Sequence, residues 1–435
     1  MDKERLLQNI VEYYLKSTEY NGFPIYDMAD DLEDVLCQLI DEDKVEILSS
    51  NDVINPHIKA FDIAIDKKIQ KENIRNKAIL SVAYPSKSVL RNIDIDSTMP
   101  YSGMLRKGAE QFEIIYFDIE ILERYANNPK FLIIDNGFRG SIYPEDQYLE
   151  DDEIDNEYVK NYGMAYIDGP TFKRAIGVFV YDLSKLTAQK QQLWRAFELK
   201  SQDKCHIHPG FVKNLILGVW VTDMWVFHAI IDEMKTINAM CAAMNIPPFY
   251  SHTYGTHFSE MPEGYRNILL PTKKNYYDFV LVMEKMLVHN ISIKTFTANG
   301  INVRGINRQD DDGNIKGSIQ MLDEWLCANT TAKAEDIHRV IISPLKRIRK
   351  IRQLPAHELA SNEYNVKYYT DQFDLVNDAY GSLASIRNLL RSNPATKSIK
   401  IPDYLIDGTP NCELLMPWTH NPSKCEVYCY ATNVA

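Results

Sequence analysis

Arg352 and His357 stand five positions apart in RKIRQLPAH, residues 349–357, and their types and spacing suit one defined chemistry. An imidazole titrating near neutrality can take the proton of a ribose 2′-hydroxyl, which then attacks its own phosphodiester. A guanidinium beside it can hold two phosphate oxygens and stabilise the charge that builds in the transition state. The pair therefore fits cleavage of RNA with no metal and no cofactor. Directly ahead of it, KRIRKIR (346–352) carries five cationic side chains in seven positions. Of these, Lys346, Arg347, Arg349 and Lys350 are the candidate phosphate-binding residues, because such a cluster displaces counterions from a polyanion.

The elements that must hold this pair read as helices. In RVIISPLKRIRKIRQLPAH, Ile341, Leu345, Ile348 and Ile351 fall on one helical face, and the cations take the flanks and the opposite face. Pro355 cannot continue that helix, which sets His357 in the first turn of the next segment, near a helix end that favours anions. Three helical patterns follow the turn-like RQDDDGNIKG: Ser318–Thr330, Ala334–Gln353 with a proline near its middle, and about Thr370 to Ser392. In the last, Val376, Tyr380, Leu383, Ile386 and Leu390 form one apolar stripe, and Asn393-Pro394 stops it.

RQLPAH resembles the motif of HEPN domains, in which an arginine, four to six residues and a histidine mark metal-independent ribonucleases. An amide after the arginine and an alanine before the histidine are common there, and Gln353 and Ala356 match. The resemblance implies an all-helical domain with Arg352 and His357 as its catalytic pair. It also implies a homodimer whose two motifs form one cleft, RNA as partner, and a role in toxin–antitoxin or antiviral systems.

Ahead of that domain the pattern changes. KERLLQNIVEYYLK has helical apolar spacing at Leu6, Ile10 and Tyr13/Tyr14, and the chain then reads short helix, helix with Leu32, Val35 and Leu39 inward, and strand at Val45–Leu48. That order resembles a winged helix-turn-helix. A DNA reader needs basic or amide groups on its recognition helix. This one carries Asp30, Asp31, Glu33, Asp34, Asp41 and Glu42, so the segment reads as a protein-contact or dimerisation module. The runs AILSVAYP, FEIIYFDIEIL, FLIIDNGF and AIGVFVYDL predict strands of a mixed α/β domain, with a helix beginning near Ala188. DEMKTINAMCAAMN and NYYDFVLVMEKMLVHN predict helices. The expected fold is α+β and multi-domain: residues 1–75 winged-helix-like, 76–205 mixed α/β, 206–300 mostly helical and connecting, 301–435 helical and HEPN-like with a C-terminal tail.

Composition bounds the alternatives. At 435 residues, 45% hydrophobic and 25% charged, the chain has globular composition and room for two or three domains. A net charge of −12 excludes a surface coated everywhere for nucleic acid, which throws the weight onto local clusters. The acidic run PEDQYLEDDEIDNE reads as an exposed loop. The most apolar stretch, Asn214–Ile231, is interrupted by Asp223 and His228 and reads as a core element, not a membrane span, with Trp220, Trp225 and His228 in the core. The N-terminus has no secretory pattern, and the expected location is cytoplasmic. Seven scattered cysteines suggest no disulfide framework. Cys205 with His206 and His208, the set Cys412, His420, Cys425 and Cys429, and the Asp94/Asp96 pair lack regular metal spacing and read as packing or surface residues. No phosphate-cradling glycine loop or common hydrolase motif occurs. The rival to a ribonuclease is an adaptor that docks a protein partner or nucleic acid through its basic helix.

Overall fold

The computed structural model describes residues 2–16, 20–25, 32–59, 63–76, 80–91, 96–150, 154–169, 173–215, 225–257, 260–354 and 361–406. The chain is α+β, with helices and antiparallel sheets. It divides into two compact units: residues 1–133, 140–169 and 173–208 in one, and 134–139, 170–172 and 209–435 in the other.

The first unit opens with α1 (Lys3–Lys16), which buries Leu6, Ile10 and Tyr14, one residue per turn along a single stripe. After β1 (Phe23–Pro24), α2 (Glu33–Asp41) buries Leu36, Leu39 and Ile40. Asp43 takes a φ of 54° to turn the chain into β2 (Val45–Leu48), as the expected strand bounds require. Then come α3 (Lys67–Arg75), capped by the Asp66 side chain, and β3 (Val82–Pro85). The strands lie in the order β1-β3-β2, with Ala83 opposite both Phe23 and Ile47. AILSVAYP thus completes the N-terminal sheet and does not open the middle one: its four strand residues are buried on both faces and must pair inside that core. The amide oxygen of Gln70 on α3 accepts from the Ile47 N–H, which closes the open edge of β2.

The second sheet of this unit comprises β4 (Ile114–Asp118), β5 (Phe131–Asp135), β6 (Arg139–Pro144), β7 (Asn161–Ile167), β8 (Lys173–Phe179) and β9 (Cys205–Ile207). Its order is β4-β8-β7-β6-β5, with β9 also on β7. Gly137, at φ 91°, lets Asn136-Gly-Phe-Arg139 turn β5 into β6. Helix α4 (Pro100–Arg106) and helix α5 (Ala188–Ala196) are tied by the buried Gln191, whose oxygen accepts from the Tyr101 N–H and whose nitrogen donates to Ser102 Oγ. Trp194 is fully buried edge-on to Phe117 and donates to the Tyr125 hydroxyl.

From residue 209 onward, the second unit is helical apart from short bridges among its described residues. It contains α6 (Val226–Ala243), α7 (Lys273–Glu284), α8 (Ser318–Asn329), α9 (Ser343–Gln353), α10 (Lys367–Arg391) and α11 (Asp403–Ile406). Helices from both sides of residue 300 pack in this one unit. Helix α7 runs on through a π-turn at Lys285–His289, and a second π-turn at Ile337–Ile342 leads into α9. Pro344 has no N–H to donate to the preceding turn, and the chain widens immediately ahead of it. Val376, Leu383, Ile386 and Leu390 of the expected stripe are buried on α10. Among the described residues, no helix is long and apolar enough to cross a membrane.

Candidate nucleic-acid interface

Helix α9 enters the bundle through Leu345 and Ile348, both fully buried. Arg352 lies four residues beyond Ile348 and seven beyond Leu345, so helical geometry returns it to the same face, one turn past the last buried residue. It is exposed there. Lys346 and Lys350, one turn apart, and Arg349 occupy the outward sector and are also exposed. None of these four cations has an ion-pair partner among the described residues. Arg349 passes beside the start of α8, where a Cβ on Gly317 would lie 3.9 Å from its Nη1.

Arg347 behaves differently. Its Nη1 donates to Asp378 Oδ2 of α10 at 2.6 Å, and both side chains are half-buried. Asp371 and Asp374 stand on the same stripe of α10, three and four residues apart. Burial raises the pKa of Asp378, opposed by Arg347, and Asp374 raises it further. Asp371 is likewise raised by burial and by Asp374, against Lys367 and Arg347. Arg347 therefore pairs with Asp378 and also favours the charged form of Asp371, whose own ion partner is Lys367. The spacing D-x2-D-x3-D was visible in DQFDLVND, but nothing local says which helix that face meets.

His357, with Pro355 and Ala356, lies outside the described residues, and Gln353 is exposed at the end of α9. The structure thus places Arg352 and its cationic neighbours, and it does not bring Arg352 and His357 together or apart. Cys412, His420, Cys425 and Cys429 also lie outside the described residues, as do Asp94 and Trp220. Asp96 accepts from the Thr98 N–H and hydroxyl, which lowers its pKa. His206 bonds Asp168 at 2.7 Å and stacks on Tyr166, while Cys205 is buried. Among the described residues, no group of three or more His, Cys, Asp or Glu is placed to hold a metal ion. Trp225 is in the core and His228 is partly buried, its pKa lowered by desolvation.

On the N-terminal unit, Asp30 and Asp31 lie outside the described residues. The acids that follow α2's core face are matched by lysines of the same unit: Asp41 by Lys71, Glu42 by Lys3 and Lys44, Asp43 by Lys67, Glu46 by the buried Lys59. Glu33 and Asp34, in the first turn of α2, suit the positive end of the helix dipole. Against known proteins, the chain matches no family model, no curated protein and no solved structure.

Proposed function

We propose that the chain is a metal-independent endoribonuclease with a HEPN-like helical domain, in which Arg352 holds the scissile phosphate and His357 acts as base or acid. The observation that carries this reading is the position of Arg352: a cation without an ion partner among the described residues, on the core-facing stripe of α9, one turn beyond the last buried residue. In the last turn of α9 the helix dipole already favours a cation, and from that stripe the guanidinium can reach past the end of the helix toward a bound phosphate. Arg349, three residues earlier, is the i−3 neighbour of Arg352 and the nearest second phosphate contact, whereas Lys346 and Lys350 form an outer track for the rest of the strand.

The proposal extends to a cytoplasmic homodimer acting as a toxin or in antiviral defence, with the N-terminal segment as a winged-helix-like protein-contact module. The β1-β3-β2 sheet beside α1 and α2 supports the last point, although β1 stands between those helices ahead of any second short helix, and the acidic first turn of α2, Glu33 and Asp34, favours a protein contact over a DNA one.

The test is incubation of the purified chain with end-labelled single-stranded RNA and tRNA in EDTA, comparing wild type with Arg352→Ala and His357→Ala. The expected result is cleavage with cyclic phosphate ends that both variants lose. Intact RNA, or equal cleavage by the variants, rejects the catalytic reading. Binding that survives both substitutions but fails in Lys346→Ala/Lys350→Ala supports the rival adaptor.

A further inference from the structure

Glu233 on α6 and Arg387 on α10 form an ion pair inside the second unit, with 0% and 4% of their side chains exposed. Arg387 Nε lies 3.0 and 2.8 Å from the two Glu233 oxygens. The remaining guanidinium nitrogens reach Asn388 Oδ1 and, from Nη2 at 2.7 Å, the carbonyl of Leu405 on α11. Next to Glu233, Asp232 accepts from the hydroxyl of Tyr404, also on α11. Ile401 and Leu405 are buried. Residues 397–406 therefore lay two apolar anchors and two hydrogen bonds across the seam where the pair sits.

We infer that residues 397–406 are a strap that opens and closes over the Glu233–Arg387 pair as a local unit, without unfolding of the helices beneath. Helix α11 is a single turn and has no stability of its own. The cover it provides is apolar only at Ile401 and Leu405; the rest of it lies over charge. Withdrawing two charges from water carries a desolvation cost that their attraction offsets only in part, and opening the strap returns that hydration to both. A lid over an ion pair thus opens more readily than a lid of equal size over a hydrocarbon core, and local openings of this kind form separate cooperative units. When open, the strap frees a guanidinium edge and the apolar seam of α6 and α10, a device for exposing that seam on demand.

Native-state hydrogen exchange on the full chain, read peptide by peptide, tests this. In wild type the amides of 399–405 are expected to exchange at least tenfold faster than those in the middle of α10. Tyr404→Phe removes the bond to Asp232 and should raise strap exchange several-fold, leaving α10 unchanged. The double variant Glu233→Met/Arg387→Leu removes the charges and should slow strap exchange, provided α10 keeps its protection; if that variant does not fold, Tyr404→Phe decides alone. Strap exchange at the rate of the α10 core in wild type, or no response to Tyr404→Phe, overturns the inference. So does a folded double variant whose strap exchanges as fast as wild type.

Discussion

Arg347 of α9 and Asp378 of α10 meet at 2.6 Å across the seam of two antiparallel helices, so one of the five cations in KRIRKIR faces protein and not solvent. Its role is to fix α9, and through it the turn that carries Arg352. Arg347→Ala should lower stability by about 1 kcal/mol, since it strands a half-buried carboxylate beside two others. It should leave the salt dependence of RNA binding unchanged. Lys346→Ala and Lys350→Ala should each reduce the slope of log K against log salt by about 0.7, the change expected when a single strand has one fewer phosphate neutralised. Anisotropy titrations across a salt series, with urea melts of the same variants, separate the two roles; a slope change for Arg347→Ala as large as for the lysines removes the distinction.

How far the sequence foretold this arrangement depended on whether the signal was local. Helical spacing placed Leu6 and Ile10 inward on α1 and left the third position between Tyr13 and Tyr14, of which Tyr14 is the buried one, and Asn393-Pro394 marked the end of α10, because periodicity and proline act within a few residues. β2 came out at its observed bounds for the same reason. What escaped were partners chosen by tertiary packing. β3 joins strands 34 residues or more away, Arg347 finds Asp378 across 31 residues, and Arg387 finds Glu233 across 154. The π-turn ahead of Pro344 was equally invisible, since its cause is a missing donor and not a pattern, and the one at Lys285–His289 has no proline beside it. Of the candidate site, the cationic face was legible from spacing alone. That Arg352 continues the Leu345–Ile348 stripe was implicit in the same numbering, although the sequence suggested a flank.

Asp182 should make stability fall as pH rises. Burial pushes its pKa up to about 6, and Lys185 and Lys160 offset this only in part. With the folded value above the unfolded one of about 3.9, the protonated acid is the favoured native form. The contribution is full below the unfolded value and is lost as pH rises through the folded one. Asp182→Asn should therefore be more stable than wild type by about 1–2 kcal/mol at pH 7.5 and indistinguishable from it at pH 4. Urea melts at the two pH values check the sign.

Glu42 should act in the opposite sense. Hydrogen bonds from Lys3 and Lys44 hold its carboxylate down at about 2. A depressed folded pKa gives stability that is present above the unfolded value of about 4.3 and lost as pH falls through the folded one. Glu42→Gln should lower the melting temperature of the chain at pH 7 and leave it unchanged near pH 2, with the pH 7 difference shrinking in high salt because the group is exposed. An equal loss at both pH values would assign the effect to packing.

Gly177 sits in β8, opposite Gly163 on β7 and Tyr116 on β4, where a strand interior ordinarily takes a β-branched residue. A Cβ there would come within 2.6 Å of Ile207 Cδ1 and 2.7 Å of Ile114 Cγ2. Those two isoleucine side chains thus close over the glycine, filling the space its own side chain leaves. Gly177→Ala should destabilise the chain by about 1–3 kcal/mol through overpacking, despite alanine's lower conformational cost in the unfolded state. Shortening the obstructing side chain should relieve it: in Gly177→Ala/Ile207→Val the losses should sum to less than the single variants predict, by about 0.5–1 kcal/mol. A cycle that closes additively would place the cost in the contact with Ile114 or in the backbone of β8, and not in the clash with Ile207.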